Sequence, residues 1–509
     1  MGRPLILASL LLAAFAINVD TTIVNVALPS LVRDLDASTT ELEWIVDAYN
    51  LIFAALVLGT GNLGDRLGRK GVLLVGLGVF GAATVAGGLG SSPGELIAAR
   101  AVMGLGAALI FPATLSLLTN IFTERRERAR AIGLWGATAG VGIAAGPIVG
   151  GWLLEHYSWS SVFFALAPIA ALAAVLVAVS VPTSRDPHAP PADRPGLALI
   201  TTAIAVLIYT IIEAPNNGWT TARTIGGLAV AGALLVAFVA WERRARAPML
   251  DVGLFRDLRF SAASGAVTVT FFSLMGFIFL VTLYMQFLKG YGPLSTGLRI
   301  LPVATMVGIT SIVGTTLAVR TGTKLVVAGG LVSLAAGLAW TSSVSASTSY
   351  LTIAGQMVLI GAGIGLTSAP ATESIMGAVP TAKAGVGSAI NDATRILGAT
   401  LGVAVIGSVY ASLYASRLET ALTVQLPDAV TSATHRSVGG AFGAAAQLDA
   451  TGHTGIARTL REAASTAFFD GFAAACLVAA GVAAVGAILA AALIPAHPPL
   501  PSGEAVEAE

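Results

Sequence analysis

Asp20 lies near the middle of the first apolar run of the chain, AAFAINVDTTIVNVALP at residues 13–29. A charged group is costly in hydrocarbon, and ionisable residues inside membrane segments usually face a partner, a cavity or an ion pathway. Arg100 stands in a similar position in the fourth apolar run, where Gly104 and Ala108 follow it on one helix face. Burial raises the pKa of a carboxyl group and a nearby arginine lowers it, so an acid held between these influences can bind and release a proton. Both residues are therefore candidates for proton coupling.

Each of these two residues also has a simpler interpretation. Asp20 could be a polar cap that hydrogen-bonds Thr21 or Thr22. Arg100 could extend its guanidinium to the membrane interface, because it lies only about six residues into its run. Both interpretations stay open at this level.

Two further acids are candidates for proton coupling. Asp47 lies in the second apolar run, with no basic residue three or four positions further on, although it could simply face water there. Asp392 lies three residues before Arg395, so an internal ion pair could neutralise both groups.

Composition places these residues in a membrane protein. Of the 509 residues 55% are hydrophobic and only 11% are charged, and the mean hydropathy is +0.84. A net charge of +1 gives no reason to expect a nucleic-acid partner. The single cysteine, Cys476, can form no internal disulfide. Because the sequence has no phosphate-binding loop, metal-ligand motif or catalytic acid pair in a soluble segment, we expect no enzyme activity, no metal and no cofactor.

Apolar runs long enough to cross a bilayer predict an all-α integral membrane protein with fourteen transmembrane helices. A Pro-rich break follows the sixth run and a basic break precedes the last six. This spacing predicts two six-helix bundles joined by two linker helices. The predicted parts are an N-terminal bundle at 1–182, a linker with two transmembrane helices at 183–259, a C-terminal bundle at 260–495 with an extracytoplasmic loop at 415–465, and a cytoplasmic tail at 496–509.

The distribution of Lys and Arg predicts the orientation. Arg3 and one alternating set of loops hold 18 of the 28 basic residues, whereas the other short loops hold very few. Basic residues collect in cytoplasmic loops, so both termini are predicted to be cytoplasmic.

The loop after the second run reads GNLGDRLGRK and places four charges within six residues. It resembles the signature loop of the major facilitator superfamily, G-x3-D-R-x-G-R-R/K. The resemblance implies a gating loop whose acid pairs with basic groups and a helix end as the bundles rock, although the charges could act only as a topology signal. The corresponding loop of the second half has Val319 where the acid would stand. The matching residues are Gly61, Asp65, Arg66, Gly68, Arg69 and Lys70.

The fifth run contains GIAAGPIVGG at residues 142–151, with a small residue at every fourth position. Such a stripe lets another helix approach closely, and the proline favours a kink. The pattern resembles the antiporter motif that exporters of this superfamily carry, although a plain packing face remains an alternative. The motif residues are Gly142, Gly146, Pro147, Gly150 and Gly151.

The segment VDTTIVNVALP at residues 19–29 resembles the first-helix motif of the fourteen-span drug:proton antiporters of the EmrB/QacA type. The resemblance implies a proton-coupled secondary active efflux transporter. It would export amphipathic drugs or antibiotics, cationic or aromatic, by alternating access. The alternatives are a proton-linked uptake transporter of the same fold and a transport-inactive membrane sensor or scaffold.

The ninth run is rich in Phe, Met and Tyr, which suit delocalised cations and irregular apolar ligands. We predict that it forms a drug-binding wall, although aromatic residues face lipid or core just as often. The expected partners are protons, an amphipathic small molecule and the bilayer, in a monomer of a bacterial plasma (inner) membrane driven by the proton gradient. The predicted substrate-cavity residues are Asn25, Tyr49, Phe272, Phe279, Tyr284, Gln286 and Glu373.

Overall fold

The computed structural model describes residues 2–185, 193–246, 248–377, 384–422 and 428–495, and the regular elements of these residues are all helices. The predicted tail at 496–509 lies outside the described residues. The first half contains α1 (Arg3–Leu35), α2 (Thr39–Leu67), α3 (Arg69–Leu89), α4 (Pro93–Ile121), α5 (Arg125–His156), α6 (Ser160–Phe164) and α7 (Leu166–Ser180).

Two helices, α8 (Arg194–Asn217) and α9 (Ala222–Glu242), link this half to the second. A short 3-10 turn at Val252–Arg256 leads into the second half, and the first helix of that half ends in a π-helical turn at Tyr284–Leu288. The second half contains α10 (Leu258–Leu283), α11 (Pro293–Thr321), α12 (Thr323–Thr341), α13 (Tyr350–Gly377), α14 (Ala384–Ala421), α15 (Asp428–Arg436), α16 (Val438–Ala450) and α17 (Thr454–Leu493).

Within the described residues, twelve helices are long and apolar enough to cross a membrane, when α6 and α7 are taken together. The chain is therefore a multi-pass membrane protein. The sequence predicted fourteen crossings. The two long helices outside the twelve are α2 and α5, which are 29 and 32 residues long and include positions whose side chains are not described.

Local sequence explains where several helices begin. Ser38 caps α2 by accepting from the Glu41 backbone N–H, and the Glu41 carboxylate accepts in return from the Ser38 backbone N–H at 2.8 Å. Gly68 separates α2 from α3 at φ +113°, and Gly322 separates α11 from α12 at φ +93°. Only glycine adopts such angles easily, so a glycine at positive φ forms the tight turn at the corresponding place in each half.

The first and fifth helices of each half pack through glycines. A Cβ added at Gly142 would lie 2.6 Å from Asn18 Cβ, so α5 packs closely against α1. Gly398 and Gly402 of α14 approach the backbone of α10 in the same manner, at Thr268 and Phe272. The same packing therefore occurs in both halves, although only the first half shows it as a motif recognised in the sequence.

The bundle has two distinct ends. We call the end with Arg3 and Gly68 the basic end, and the end at which α1 finishes and α2 begins the opposite end. The halves meet towards the opposite end, where a Cβ at Gly151 would lie 2.6 Å from Leu294 Cα and Ser408 Oγ donates to Glu43 Oε2 at 3.1 Å. We call this contact between α5 and α11 and between α2 and α14 the seam.

The segment 415–465 was predicted as a loop, but most of its described residues are helical. The chain continues as α14 to Ala421 and returns as α15, α16 and the beginning of α17, while residues 423–427 lie outside the described set. An Ala-rich sequence explains this difference, because alanine has the highest helix propensity. A Cβ at Gly439 of α16 would lie 2.5 Å from both Val32 and Phe287, so α16 contacts both halves.

Candidate functional site

Asp20 and Arg100 form a buried ion pair inside the first half. Arg100 Nη1 lies 2.7 Å from both Asp20 carboxylate oxygens, and the two side chains are 2% and 0% exposed for Arg100 and Asp20. Arg100 Nε also donates to the Ile45 carbonyl at 3.0 Å, and its guanidinium lies 4.3 Å from the centre of the Tyr49 ring. Residues from α1, α2 and α4 thus surround one charge pair.

This arrangement can exist in two states. A buried pair is tolerable only when geometry and further hydrogen bonds offset the loss of hydration. A proton that binds Asp20 removes its negative charge and so weakens its attraction to Arg100, which also contacts the Ile45 carbonyl and the Tyr49 ring. The charge state of Asp20 therefore changes the electrostatic attraction between α1 and α4 at this point.

Two more carboxyl groups are buried on α2. Glu43 and Asp47 have no exposed surface, and they lie one turn apart on the same helix face. Glu43 Oε2 accepts from Ser408, but Glu43 Oε1 and both oxygens of Asp47 have no hydrogen-bond partner among the described residues. Glu43 was not among the predicted site residues. The signal that could have found it is its four-residue spacing from Asp47.

The predicted internal pair of Asp392 and Arg395 does not form, since no ion pair within 4.0 Å in the described part of the chain joins them. Arg395 Nη2 instead donates to Thr372 Oγ1 at 3.1 Å, and its guanidinium lies 5.4 Å from the centre of the Phe271 ring. Asp392 is buried in α14. Arg395 therefore has its hydrogen bond on α13 rather than within its own helix.

The described part of the gating loop contacts its own half. Arg69 N–H donates to the Ser184 carbonyl at 3.0 Å, and Lys70 Nζ donates to the Ala178 carbonyl at 2.8 Å at the end of α7. Arg66 is exposed. The side chains at positions 61 and 65, Gly61 and Asp65, lie outside the described set, so the role of the acid stays a prediction.

The glycines of the antiporter motif position the helix that carries Asp20. Added Cβ atoms at Gly142, Gly146 and Gly150 would meet residues 18–19, 22–23 and 23 of α1. Thr22 Oγ1 also donates to the Gly142 carbonyl at 3.2 Å. Gly151, the last residue of the motif, instead faces α11 across the seam. The motif thus touches both the acid-bearing helix and the other half.

Pro147 of the same motif borders a cavity between the halves. The cavity has a volume of about 370 Å³ and a mostly apolar lining with several hydroxyl groups. The first half contributes little more than Thr22, Val26 and Pro147 to it. Second-half residues that line it include Phe271, Leu274, Ile278, Thr282, Ser311 and Arg395. Such a site suits an amphipathic molecule.

The helix predicted to form the drug-binding wall, α10, lines the cavity through Phe271, Leu274, Ile278 and Thr282, but the aromatic residues named for that wall lie on another face of it. Phe272, Phe279 and Tyr284 are buried inside the second half and are absent from the cavity lining. Tyr284 packs against Phe472 at 5.7 Å between ring centres and donates to the Ser345 carbonyl at 3.0 Å. The prediction followed residue type, whereas the face of the helix decides which side chains reach the cavity.

The remaining predicted cavity residues have other neighbours. Asn25 donates to the Thr21 carbonyl at 3.1 Å within α1, and Gln286 donates across the halves to the Val26 carbonyl at 3.0 Å. Tyr49 lies against Arg100, as described above. Glu373 is exposed near the end of α13. None of the four is in the cavity lining.

Comparison with known proteins finds one matching family and relatives that are named for drug resistance or drug export. The family model described as Major Facilitator Superfamily matches residues 10–403. The chain is 35% identical over 488 residues to the multidrug efflux pump LfrA of Mycolicibacterium smegmatis, covering 94% of this chain and 95% of that protein. It is 36% identical over 419 residues to the multidrug resistance protein Stp of Mycobacterium tuberculosis, covering 82% of this chain and 78% of that protein. It is also 32% identical over 500 residues to the tetracenomycin C resistance and export protein of Streptomyces glaucescens, covering 96% and 91%.

Solved structures show the same fold. A bacterial homologue of the human lysosomal transporter Spinster, in an inward-facing and occupied conformation, matches with a TM-score of 0.68. The match covers 96% of this chain and 97% of that chain at 15% identity. At this identity the likeness concerns the fold alone.

Proposed function

The chain belongs to the major facilitator superfamily and is a drug efflux transporter, and we propose that it exchanges external protons for amphipathic substrates. The superfamily consists generally of transport proteins rather than enzymes. The observation that carries the proposal is the buried pair of Asp20 and Arg100 beside a cavity between the halves. A proton gradient drives the exchange, and no cofactor takes part.

Membrane orientation and span number are parts of this proposal. The basic end faces the cytoplasm of a bacterial cell, with both termini there, because the loops of this end hold most of the Lys and Arg residues. We count α2 and α5 as two membrane spans in addition to the twelve apolar ones, because they are as long as their neighbours. The resulting fourteen spans agree with the EmrB/QacA branch and with α8 and α9 as linker helices.

The seam defines the state of the transporter. With the halves joined towards the opposite end, the structure corresponds to the state that receives substrate from the cytoplasm. Substrate enters the cavity beside Thr22 and Val26, which lie two and six residues after Asp20 on α1. Opening of the seam then exposes the cavity to the outside. Protonation of Asp20 frees Arg100 and favours the return, so that the proton and the substrate move in opposite directions.

Everted vesicles with an acid lumen test the exchange. Addition of amphipathic cationic dyes or aromatic antibiotics is expected to raise the luminal pH in vesicles that contain the transporter, as a fluorescent pH probe reports. Asp20→Asn keeps the size of the side chain but cannot release a proton, and we expect it to abolish the pH response. Asp36→Asn is the matched control, because Asp36 is exposed at the end of the same helix.

The same assay separates the alternatives. Proton-linked uptake reverses the dependence on the gradient, and a transport-inactive sensor or scaffold gives no response to any compound. An undiminished response of Asp20→Asn would refute Asp20 as the coupling residue while leaving drug efflux intact. A resistance profile in a host that lacks its own pumps identifies the substrates.

A further inference from the structure

We propose that Glu43 is a proton-binding site within the seam, and that the seam closes only when Glu43 carries a proton. The inference rests on the proposed exchange of protons, because it names a second place where a proton acts. It concerns the contact between the halves and not the cavity.

The first argument is the position of Glu43. Its side chain has no exposed surface, and the carboxyl group lies against α14 of the other half. A Cβ added at Gly407 would lie 2.6 Å from the Glu43 carboxyl carbon, and Ser408 Oγ donates to Oε2 at 3.1 Å. Ser408 Oγ also lies 2.9 Å from the Ile211 carbonyl of α8. Glu43 is therefore buried by contact between separate parts of the molecule.

The second argument is the absence of a compensating charge near Glu43. Its other oxygen, Oε1, has no hydrogen-bond partner among the described residues. Arg100 of α4, a buried base on a helix that packs against α2, is bound to Asp20. A carboxylate that is sealed from water without a cation costs several kcal/mol or more, on the order found for unpaired buried ions. Protonation removes this cost, so the closed seam favours the neutral acid.

Charged groups on the other elements around α2 do not change this conclusion. α8 presents Glu213, another acid, which accepts from Trp44 Nε1 at 3.3 Å. Arg417 of α14 is exposed and bound to Asp470 at 3.2 Å, and Arg69 and Lys70 of α3 lie at the basic end. Towards the opposite end, α1 carries the exposed residues Arg33 and Asp34 and is followed by the exposed Asp36, and Arg33 donates to Ser30 Oγ of its own helix at 3.0 Å. α15 carries His435, which is partly buried, and Arg436, which is exposed.

Asp47 extends the acidic face of α2. It lies one turn from Glu43 and one turn from Leu51, and Leu51 packs in one apolar cluster with Ala404 of α14 and Ile208 of α8. Both oxygens of Asp47 lack a hydrogen-bond partner among the described residues. Asp47 is therefore the alternative proton-binding residue on α2, and the experiment must distinguish it from Glu43.

The direction of the effect matches an exporter. When the seam opens, Glu43 meets external water and equilibrates with the external proton concentration. Acid outside protonates the group, the seam closes, and the cavity turns back to the cytoplasm. A closed, protonated state in equilibrium with an open, deprotonated state shifts about tenfold towards the open state for each pH unit.

Spin-label distances across the seam test this relation without substrate or transport. Labels are placed through Tyr157→Cys and Ser347→Cys, at exposed positions at the opposite end of each half. The only other cysteine, Cys476, is buried. In proteoliposomes of the full chain carrying Asp20→Asn, which removes the other proton-binding residue, we expect the open population to rise about tenfold per pH unit over the range where Glu43 releases its proton.

Variants assign this step to one residue. Glu43→Gln should stay closed and lose the pH response, because its side chain is always neutral, whereas Glu43→Asp should retain the response. Ser408→Ala, the matched control on the facing helix, removes a hydrogen bond but no titrating group and should also retain it. An unchanged slope in Glu43→Gln overturns the proposal, and so does a slope that disappears only in Asp47→Asn. Neither result touches substrate-driven proton movement in vesicles, so the proposed exchange is judged separately.

Discussion

The two halves share their packing but not their charges. Asp20 and Arg100 form a buried ion pair in the first half, whereas Gln356 of α13 lies near the position that Arg100 has in α4 and donates to the Trp340 carbonyl at 3.1 Å. Met275 lies as many residues into α10 as Asp20 lies into α1. The second half instead provides most of the cavity lining. We infer that the first half handles the proton and the second half mainly handles the substrate.

The largest effect on the free energy of unfolding is expected from a comparison of Arg100 in the first half with Gln356 in the second, each replaced by alanine. Arg100→Ala leaves Asp20 buried without its partner and should lower the free energy of unfolding by about 3–5 kcal/mol. Gln356→Ala removes one neutral hydrogen bond and should cost about 1 kcal/mol. Thermal unfolding in detergent measures both. The double variant Arg100→Ala, Asp20→Asn should recover part of the loss, and equal costs for the two single variants would contradict the contrast.

A second test uses the glycine contacts that both halves share. Gly146→Ala crowds α5 against α1, and Gly402→Ala crowds α14 against α10, so each should destabilise by about 1–3 kcal/mol. Only Gly146→Ala should also weaken the proton response of everted vesicles, since α1 carries Asp20. Gly78→Ala and Gly329→Ala are controls, because an added Cβ at either site meets no atom within 4 Å. Equal effects of the two crowding variants on proton coupling would remove the functional distinction.

The tight turns provide a third, smaller test. Gly68→Ala and Gly322→Ala place a side chain at positive φ, and each should cost about 1–2 kcal/mol in thermal unfolding. The halves should differ in transport. Lys70→Ala loses the bond to the Ala178 carbonyl at the end of α7 and should slow drug efflux, whereas Lys324→Ala should not. A slower efflux with Lys324→Ala would show that the second loop retains a gating role.

The smallest effects are expected from exposed ion pairs, one in each half. Arg3 and Glu127 lie 2.6 Å apart in the first half, and Arg417 and Asp470 lie 3.2 Å apart in the second. Neutralising either pair should change the free energy of unfolding by about 0–1 kcal/mol, since water and salt screen exposed charges. If Glu127→Gln proved as damaging as Arg100→Ala in the same unfolding assay, burial would not explain the importance of the first-half pair.

The sequence allowed part of this site to be predicted. A carboxylate and a guanidinium in two apolar runs are expensive enough to require each other or water, and the structure joins Asp20 and Arg100. The stripe from Gly142 to Gly150 predicted a close helix contact, and that contact is with α1. In both cases a strong local cost or a regular spacing constrains the outcome.

Other features depended on tertiary contacts that no local pattern encodes. Glu43 lies close to the beginning of its apolar run and could have faced water, and only the approach of α14 buries it. The prediction missed a cavity-lining residue of α10 by one position. Phe271 lines the cavity, whereas the predicted residue, Phe272, faces Gly402 of α14. Arg395 lies close in sequence to Asp392, yet a hydroxyl on α13 provides its hydrogen bond.

The position of α16 has a mechanical consequence. Gly439 of α16 packs between Val32 of the first half and Phe287 of the second, so α16 bridges the two halves at this end. If the two halves separate at this end, the glycine must stay with one of them and part from the other. In the proposed orientation this end faces the outside of the cell, so an antibody fragment that fixed α16 to the exposed ends of both halves would arrest the cycle without entering the drug pathway.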